Sequence, residues 1–128
     1  MPEESILKRF AAARVFVANV DKAARFYGDT LGLTISVQSV QSVIFTLENM
    51  DLIIERADPT NPEGAEMIGR FTALSFAVED CQSAVGLLTG KNVQFLAPAQ
   101  KQAWGGFVAH FLDPEGNVLT LVEHAKEG

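Results

Sequence analysis

The chain has 128 residues, 16 acidic against 10 basic side chains, a net charge of −6 and 48% apolar residues. A chain of that size buries roughly two-thirds of its unfolded surface, which fits one domain with its own core and excludes disorder. The single cysteine, Cys81, excludes an intramolecular disulfide and a cysteine-rich zinc site, and the acidic balance speaks against general phosphate or nucleic-acid binding.

Along the chain, Ala12 to Ala18 reads as a strand with Ala13, Val15 and Val17 on one face. Asn19-Val20-Asp21 then offers an N-cap and an acidic first turn. Ala23, Ala24, Phe26, Tyr27 and Leu31 form a helical apolar stripe that Gly32 stops. Three strands are predicted at Leu33–Val37, Val43–Leu47 and Leu52–Arg56, joined by the polar turns 38–42 and 48–51. Residues 57–64, with Pro59 and Pro62, read as a linker.

The order then repeats. Ala73 to Val78 alternates like a strand, with Leu74, Phe76 and Val78 facing a core. Glu79-Asp80 caps a helix through Ala84, Val85, Leu87 and Leu88, ending near Gly90. Strands follow at Val93–Leu96, Gly106–Leu112 and Val118–Glu123, the last two joined by the turn Asp113-Pro114-Glu115-Gly116-Asn117. Pro114 and Gly116 suit a tight hairpin, and Asn117 is expected there for its tolerance of unusual dihedrals.

The expectation is an α+β fold of two tandem βαβββ modules, 10–57 and 70–124, joined by a linker at 58–69 within one domain, 1–128. Each half presents a sheet with a helix on one face, and two such curved mixed sheets, placed edge to edge or swapped between chains, enclose a cavity. Short sheets leave edges that need covering, so a homodimer is expected.

The duplicated order, the stretch Asn19-Val20-Asp21-Lys22-Ala23-Ala24-Arg25-Phe26-Tyr27 with Leu31-Gly32-Leu33, and the hairpin Asp113-Pro114-Glu115-Gly116-Asn117 resemble the vicinal oxygen chelate superfamily. That group includes glyoxalase I, bleomycin-resistance proteins and extradiol dioxygenases. The resemblance implies a cavity fold, and in the metal-dependent members a divalent ion held by His, Gln or Glu from the first and last strand of each module. Carried onto this chain, the first-strand positions fall on Ala12 and Ala73. The last-strand positions fall on Thr120 and, in the first module, on Leu52 or Glu55 according to register. Alanine cannot coordinate, so no metal or other cofactor is expected, and Glu55 remains a lone candidate ligand.

Strand pairing across the 113–117 turn sets His110 opposite Thr120, facing the presumed cavity. Arg14 shares the parity of Ala12 and Phe16 and calls for a carboxylate partner, such as Glu55, or an anionic substrate group. Ser75 and Thr120 add hydroxyls, Trp104 is placed to stack on a planar ligand, and Ala12 and Ala73 leave space. His124 is expected at the surface.

The reading is therefore a glyoxalase/bleomycin-resistance-like protein that binds a small organic molecule in a cavity without the usual metal site. The alternative is a divergent metal-dependent or acid–base enzyme of lactoylglutathione-lyase or dioxygenase type, with His110, Glu55 and Arg14 as candidate catalytic residues. No nucleic-acid or membrane partner is expected, because no apolar run approaches the roughly 20 residues of a bilayer span. Met1-Pro2-Glu3-Glu4-Ser5 begins acidic, unlike a secretory signal, and the expected location is cytoplasmic.

Overall fold

The computed structural model describes residues 6–126. Met1–Ser5, read above as an acidic start, lie outside the described residues.

The first module opens with β1 (Ala12–Val17). Asn19 ends it in an extended conformation and its side chain accepts from the Lys22 amide, so α1 (Val20–Ala24) starts capped. The helix does not continue as one regular α-helix to Leu31. It widens into a π-helical segment over Arg25–Thr30. Tyr27, in that segment, is completely buried, with its ring edge-on to Phe26 and tilted against Phe45. Gly32, at φ +82°, then turns the chain into β2 (Thr34–Gln38), β3 (Ser42–Thr46) and β4 (Asp51–Arg56).

The linker contains a short helix, α2 (Pro62–Met67), where no helix is expected from the sequence. The second module comprises β5 (Phe71–Ala77), α3 (Cys81–Thr89), β6 (Gln94–Phe95), β7 (Gln100–Lys101), β8 (Phe107–Leu112) and β9 (Val118–Glu123). Asp80 caps α3 by accepting from the Ser83 amide. β7, two residues long, was not predicted.

The sheets have the same plan. The first runs β1-β4-β3-β2 and the second β5-β9-β8-β6, with β7 pairing β8. In each, the first strand lies parallel to the last, and the remaining pairs are antiparallel. The expected pair of mixed sheets is thus present.

Alternation assigns the faces. Val15, Val17, Leu52 and Ile54 of the first sheet, and Ala109, Phe111, Leu119 and Leu121 of the second, all belong to one buried cluster that also contains Tyr27, Phe45 and Cys81. Burying each large apolar side chain contributes about 1.5–3 kcal/mol, so this shared core does most of the work of joining the modules.

Polar contacts fix their relative position. The Tyr27 hydroxyl donates to Asp113 Oδ2 (2.8 Å), and the Ala18 and Asn19 amides donate to the two Glu115 carboxylate oxygens (2.6 and 2.8 Å). Asn117 has no positive φ, contrary to expectation; the left-handed residue of the hairpin is Gly116. Asn117 acts through its side chain, whose oxygen accepts from Gly69 and Arg70 and whose amide donates to the Phe16 carbonyl and to Asp113. One asparagine therefore ties the hairpin to the end of the linker and to β1.

Candidate functional site

The faces turned away from the shared core carry the predicted site residues. On the first sheet, Arg14 pairs with Ile53 and Phe16 with Glu55 across the parallel β1–β4 ladder. Arg14 Nε and Nη2 donate to Glu55 Oε2 and Oε1 at 2.5 and 3.1 Å, a two-pronged pair that matches the planar guanidinium to the carboxylate. The hydrogen bond and the charge of Glu55 raise the Arg14 pKa above its ordinary value. The Arg14 guanidinium also lies over the Phe16 ring, 5.3 Å from its centroid. The carboxylate partner that Arg14 required is thus Glu55.

On the second sheet, His110 pairs with Thr120, and Ser75 with the same Thr120 on its other side. His110 Nδ1 is 2.8 Å from Thr120 Oγ1, the ring tautomer deciding which of the two donates. Phe71, not among the expected site residues, stands edge-on to His110 with ring centroids 5.7 Å apart and remains 63% exposed. Its signal was available: an aromatic side chain on the alternating face opposite Leu74 and Phe76.

Register identifies the residue in β4 that corresponds to Thr120. β1 and β5 are equivalent through their caps, Asn19 and Asp80, so Arg14 corresponds to Ser75. Ser75 pairs with Thr120 and Arg14 with Ile53, so the equivalent position is Ile53. Both expected assignments are corrected by this. Leu52 points into the core, and Glu55 lies two residues further along the open face.

The superfamily pattern implies a divalent ion held between these strands, and the residues present do not fit one. Ala12 and Ala73 have no donor atom, Ile53 has none, and the Thr120 hydroxyl is engaged with His110. Among the described residues, no three His, Cys, Asp or Glu side chains come together. Ala73 also adopts φ +62°, at an irregularity between the Phe71–Val118 and Ser75–Thr120 pairs. Left-handed backbone is uncommon for any residue but glycine, so β5 departs from regular strand geometry at this position.

Two further expectations change. Trp104 does not sit with His110 and Thr120. It is half exposed, packs on Gly106, where an added Cβ would meet its ring at 2.0 Å, and lies 6.5 Å from the ring of His124, four residues beyond Thr120. The open faces also do not close on each other into the expected cavity within one chain: Arg14, Phe71, Ala73 and Ser75 are exposed. A cleft of about 860 Å³ lies instead between the modules, and of the predicted residues only Ser75 touches it. His124 is exposed, as expected, and Cys81 is buried, its thiol pushed up by burial and by the nearby charges of Glu123 and Asp80.

Two βαβββ modules of identical sheet order, carrying a Phe-Tyr helix and an Asp-Pro-Glu-Gly-Asn hairpin, define the class, and residues 9–121 match the family profile: the chain belongs to the Glyoxalase/Bleomycin resistance protein/Dioxygenase superfamily. It is 29% identical over 118 residues to the uncharacterized protein YraH of Bacillus subtilis, covering 84% of this chain and 92% of YraH. A superfamily member from Sphaerobacter thermophilus superposes with a TM-score of 0.76 at 25% identity, over 94% of this chain and all of the other. TnmS3, an antibiotic binding protein from Streptomyces sp. CB03234, superposes with a TM-score of 0.75 at 23% identity, over 95% of this chain and 100% of its own. Among the described residues, no helix is long and apolar enough to cross a membrane.

Proposed function

We propose that this protein binds a small organic molecule, planar and neutral or cationic, on its open sheet faces, without the superfamily's usual metal site. The observation that carries this reading is the occupancy of the four strand positions: Ala12, Ile53, Ala73 and Thr120 offer one hydroxyl between them. A small or apolar side chain in place of each ligand leaves room for a ring system against Phe16, Phe71 and His110. That TnmS3, of the same fold, is an antibiotic binding protein is compatible with this reading without selecting it, since 23% identity establishes shared fold alone.

A homodimer belongs to the same reading. Each open face is a half-site, and a second copy supplies the opposite wall and covers sheet edges. The acidic composition and lone cysteine support a cytoplasmic location. The enzymatic alternative draws less support, because Arg14 and Glu55 already satisfy each other and His110 has Thr120 as its hydrogen-bond partner.

Calorimetric titration with planar and cationic antibiotics tests the reading. Saturable binding of at least one compound, weakened by Phe71→Ala or His110→Ala, is expected, with light scattering reporting a dimer at micromolar protein. Stoichiometric nickel, zinc, manganese or iron in protein purified without chelator would overturn it.

A further inference from the structure

The cleft between the modules has a different composition from the open faces. Its walls are Leu31, Leu33 and Leu47 from the first module and Phe76, Leu88 and Phe111 from the second. Five of these six are only partly buried although they pack against the core; Phe111 forms the floor. The volume of about 860 Å³ falls within the range of small-molecule sites. Apolar side chains left half-wet in a concavity forfeit part of the free energy that full burial would give, and an apolar occupant recovers it.

Glu48 and Asn49, in the turn between β3 and β4, also line the cleft. Both are exposed, and no hydrogen bond or ion pair is made by either side chain among the described residues. No lysine or arginine lines the cleft. A trough of leucine and phenylalanine with one free carboxylate in its lining thus selects both shape and charge.

We propose that this cleft is a second binding site, specific for amphiphiles with an apolar chain and a single cationic amine. The chain lies along Leu31, Leu33, Leu47 and Leu88, and the ammonium sits at the turn, donating to the Glu48 carboxylate and the Asn49 side-chain oxygen. An anionic head would meet Glu48 with like charge, and an uncharged head would gain only the apolar contacts.

The test titrates the full chain by calorimetry with decylamine and decanoate below their micellar concentrations and decanol below its solubility limit. Decylamine is expected to saturate at one equivalent per chain and to bind tightest, with decanoate weakest. Glu48→Gln should weaken decylamine about three- to fivefold, the upper end of what an exposed ion pair contributes, while leaving decanol unchanged. Leu47→Trp should block both; if it fails to fold, Glu48→Gln on the exposed turn still decides the matter. Thr120→Val, on the open face, should leave all three unchanged, which separates this site from the one proposed above. Equal binding of decylamine and decanoate, unsaturable uptake, no effect of Glu48→Gln, or loss of decylamine binding in Thr120→Val would each overturn the proposal.

Discussion

Replacing Tyr27 by phenylalanine removes one oxygen from the junction of the modules and little else. Tyr27 is 0% exposed and its hydroxyl donates to Asp113 Oδ2 at 2.8 Å. That carboxylate, itself buried, also accepts from the Glu115 and Asn117 amides and from the Asn117 side chain. The variant leaves those three donors in place, so the loss is one hydrogen bond to a carboxylate, about 2 kcal/mol. For 128 residues the unfolding entropy is about 0.27 kcal/mol per degree, so the midpoint should fall by about 7 °C. Denaturant unfolding gives the same quantity independently, and a double-mutant cycle with Asp113→Ala should return a coupling of about 1.5–3 kcal/mol. The pH dependence has a definite sign. Burial first, then the charge and hydrogen bond of Asp113, push the Tyr27 pKa far above its ordinary value. The folded state therefore keeps a proton that the unfolded state releases above about pH 10, and stability falls by about 1.4 kcal/mol per pH unit there. Tyr27 is the only tyrosine, so tyrosinate absorbance should rise only with alkaline unfolding. A Tyr27→Phe variant within 0.5 kcal/mol of the parent, or tyrosinate forming in folded protein near pH 10, would refute the reasoning.

The hairpin's other anchors give matching expectations. Asn117→Ala strands the Gly69 and Arg70 amides and the Phe16 carbonyl, and should cost about 3 kcal/mol or more in denaturant unfolding; a loss below 1 kcal/mol would contradict the cross-module role. Glu115→Ala leaves the Ala18 and Asn19 amides without acceptors and should cost about 1–2 kcal/mol by the same measurement, whereas Glu115→Gln should cost less. Cys81, buried and with a raised thiol pKa, should react with a thiol reagent about a hundredfold or more slower in native protein than in denaturant; comparable rates would show that α3 opens freely. A divalent ion in hundredfold excess over its Kd would add about 2.7 kcal/mol and raise the midpoint by about 10 °C; the absence of a fitting ligand set among the described residues predicts a shift within about a degree on adding nickel or zinc, and a rise near 10 °C would contradict it.

Where a structural feature depends on near neighbours, the sequence announced it. Alternation in Ala12–Val17 and Phe107–Leu112, and the caps Asn19 and Asp80, are local and were legible, as was the His110–Thr120 pair, because the turn between them is short. The helix α2 was masked by reading two prolines as a linker. Yet an Asn61 cap followed by Pro62 is itself a helix start, since proline's missing amide costs nothing in the first turn. The roles of Asn117 were hidden because its partners lie 47, 48 and 101 residues away. Matching Glu55 to Glu123 by residue type set the register of β4 one position off. Pairing follows the hydrogen-bond ladder from the helix caps, which leads to Ile53. Nothing in an alanine signals a positive φ, so the left-handed backbone at Ala73 was beyond sequence reasoning altogether.

The electrostatics of the open faces bear on the kind of ligand they select. The net charge of −6 is offset there by Arg14, which pairs with Glu55, and beside that pair stand His110, Thr120 and Ser75 with Phe71, which was not among the predicted residues. A ligand carboxylate arriving at Arg14 would have to displace Glu55, exchanging one two-pronged pair for another and leaving Glu55 exposed beside it. That exchange offers little net gain at a solvent-exposed pair. A planar ring meets no such competition at Phe71, whose ring is exposed, although the face of Phe16 is already covered by the Arg14 guanidinium. A cationic ring would additionally meet the outer edge of Glu55 and the negative field of the whole chain. Under the binding function proposed above, these residues would favour flat and neutral or positively charged molecules over the anionic substrates that a free arginine would attract.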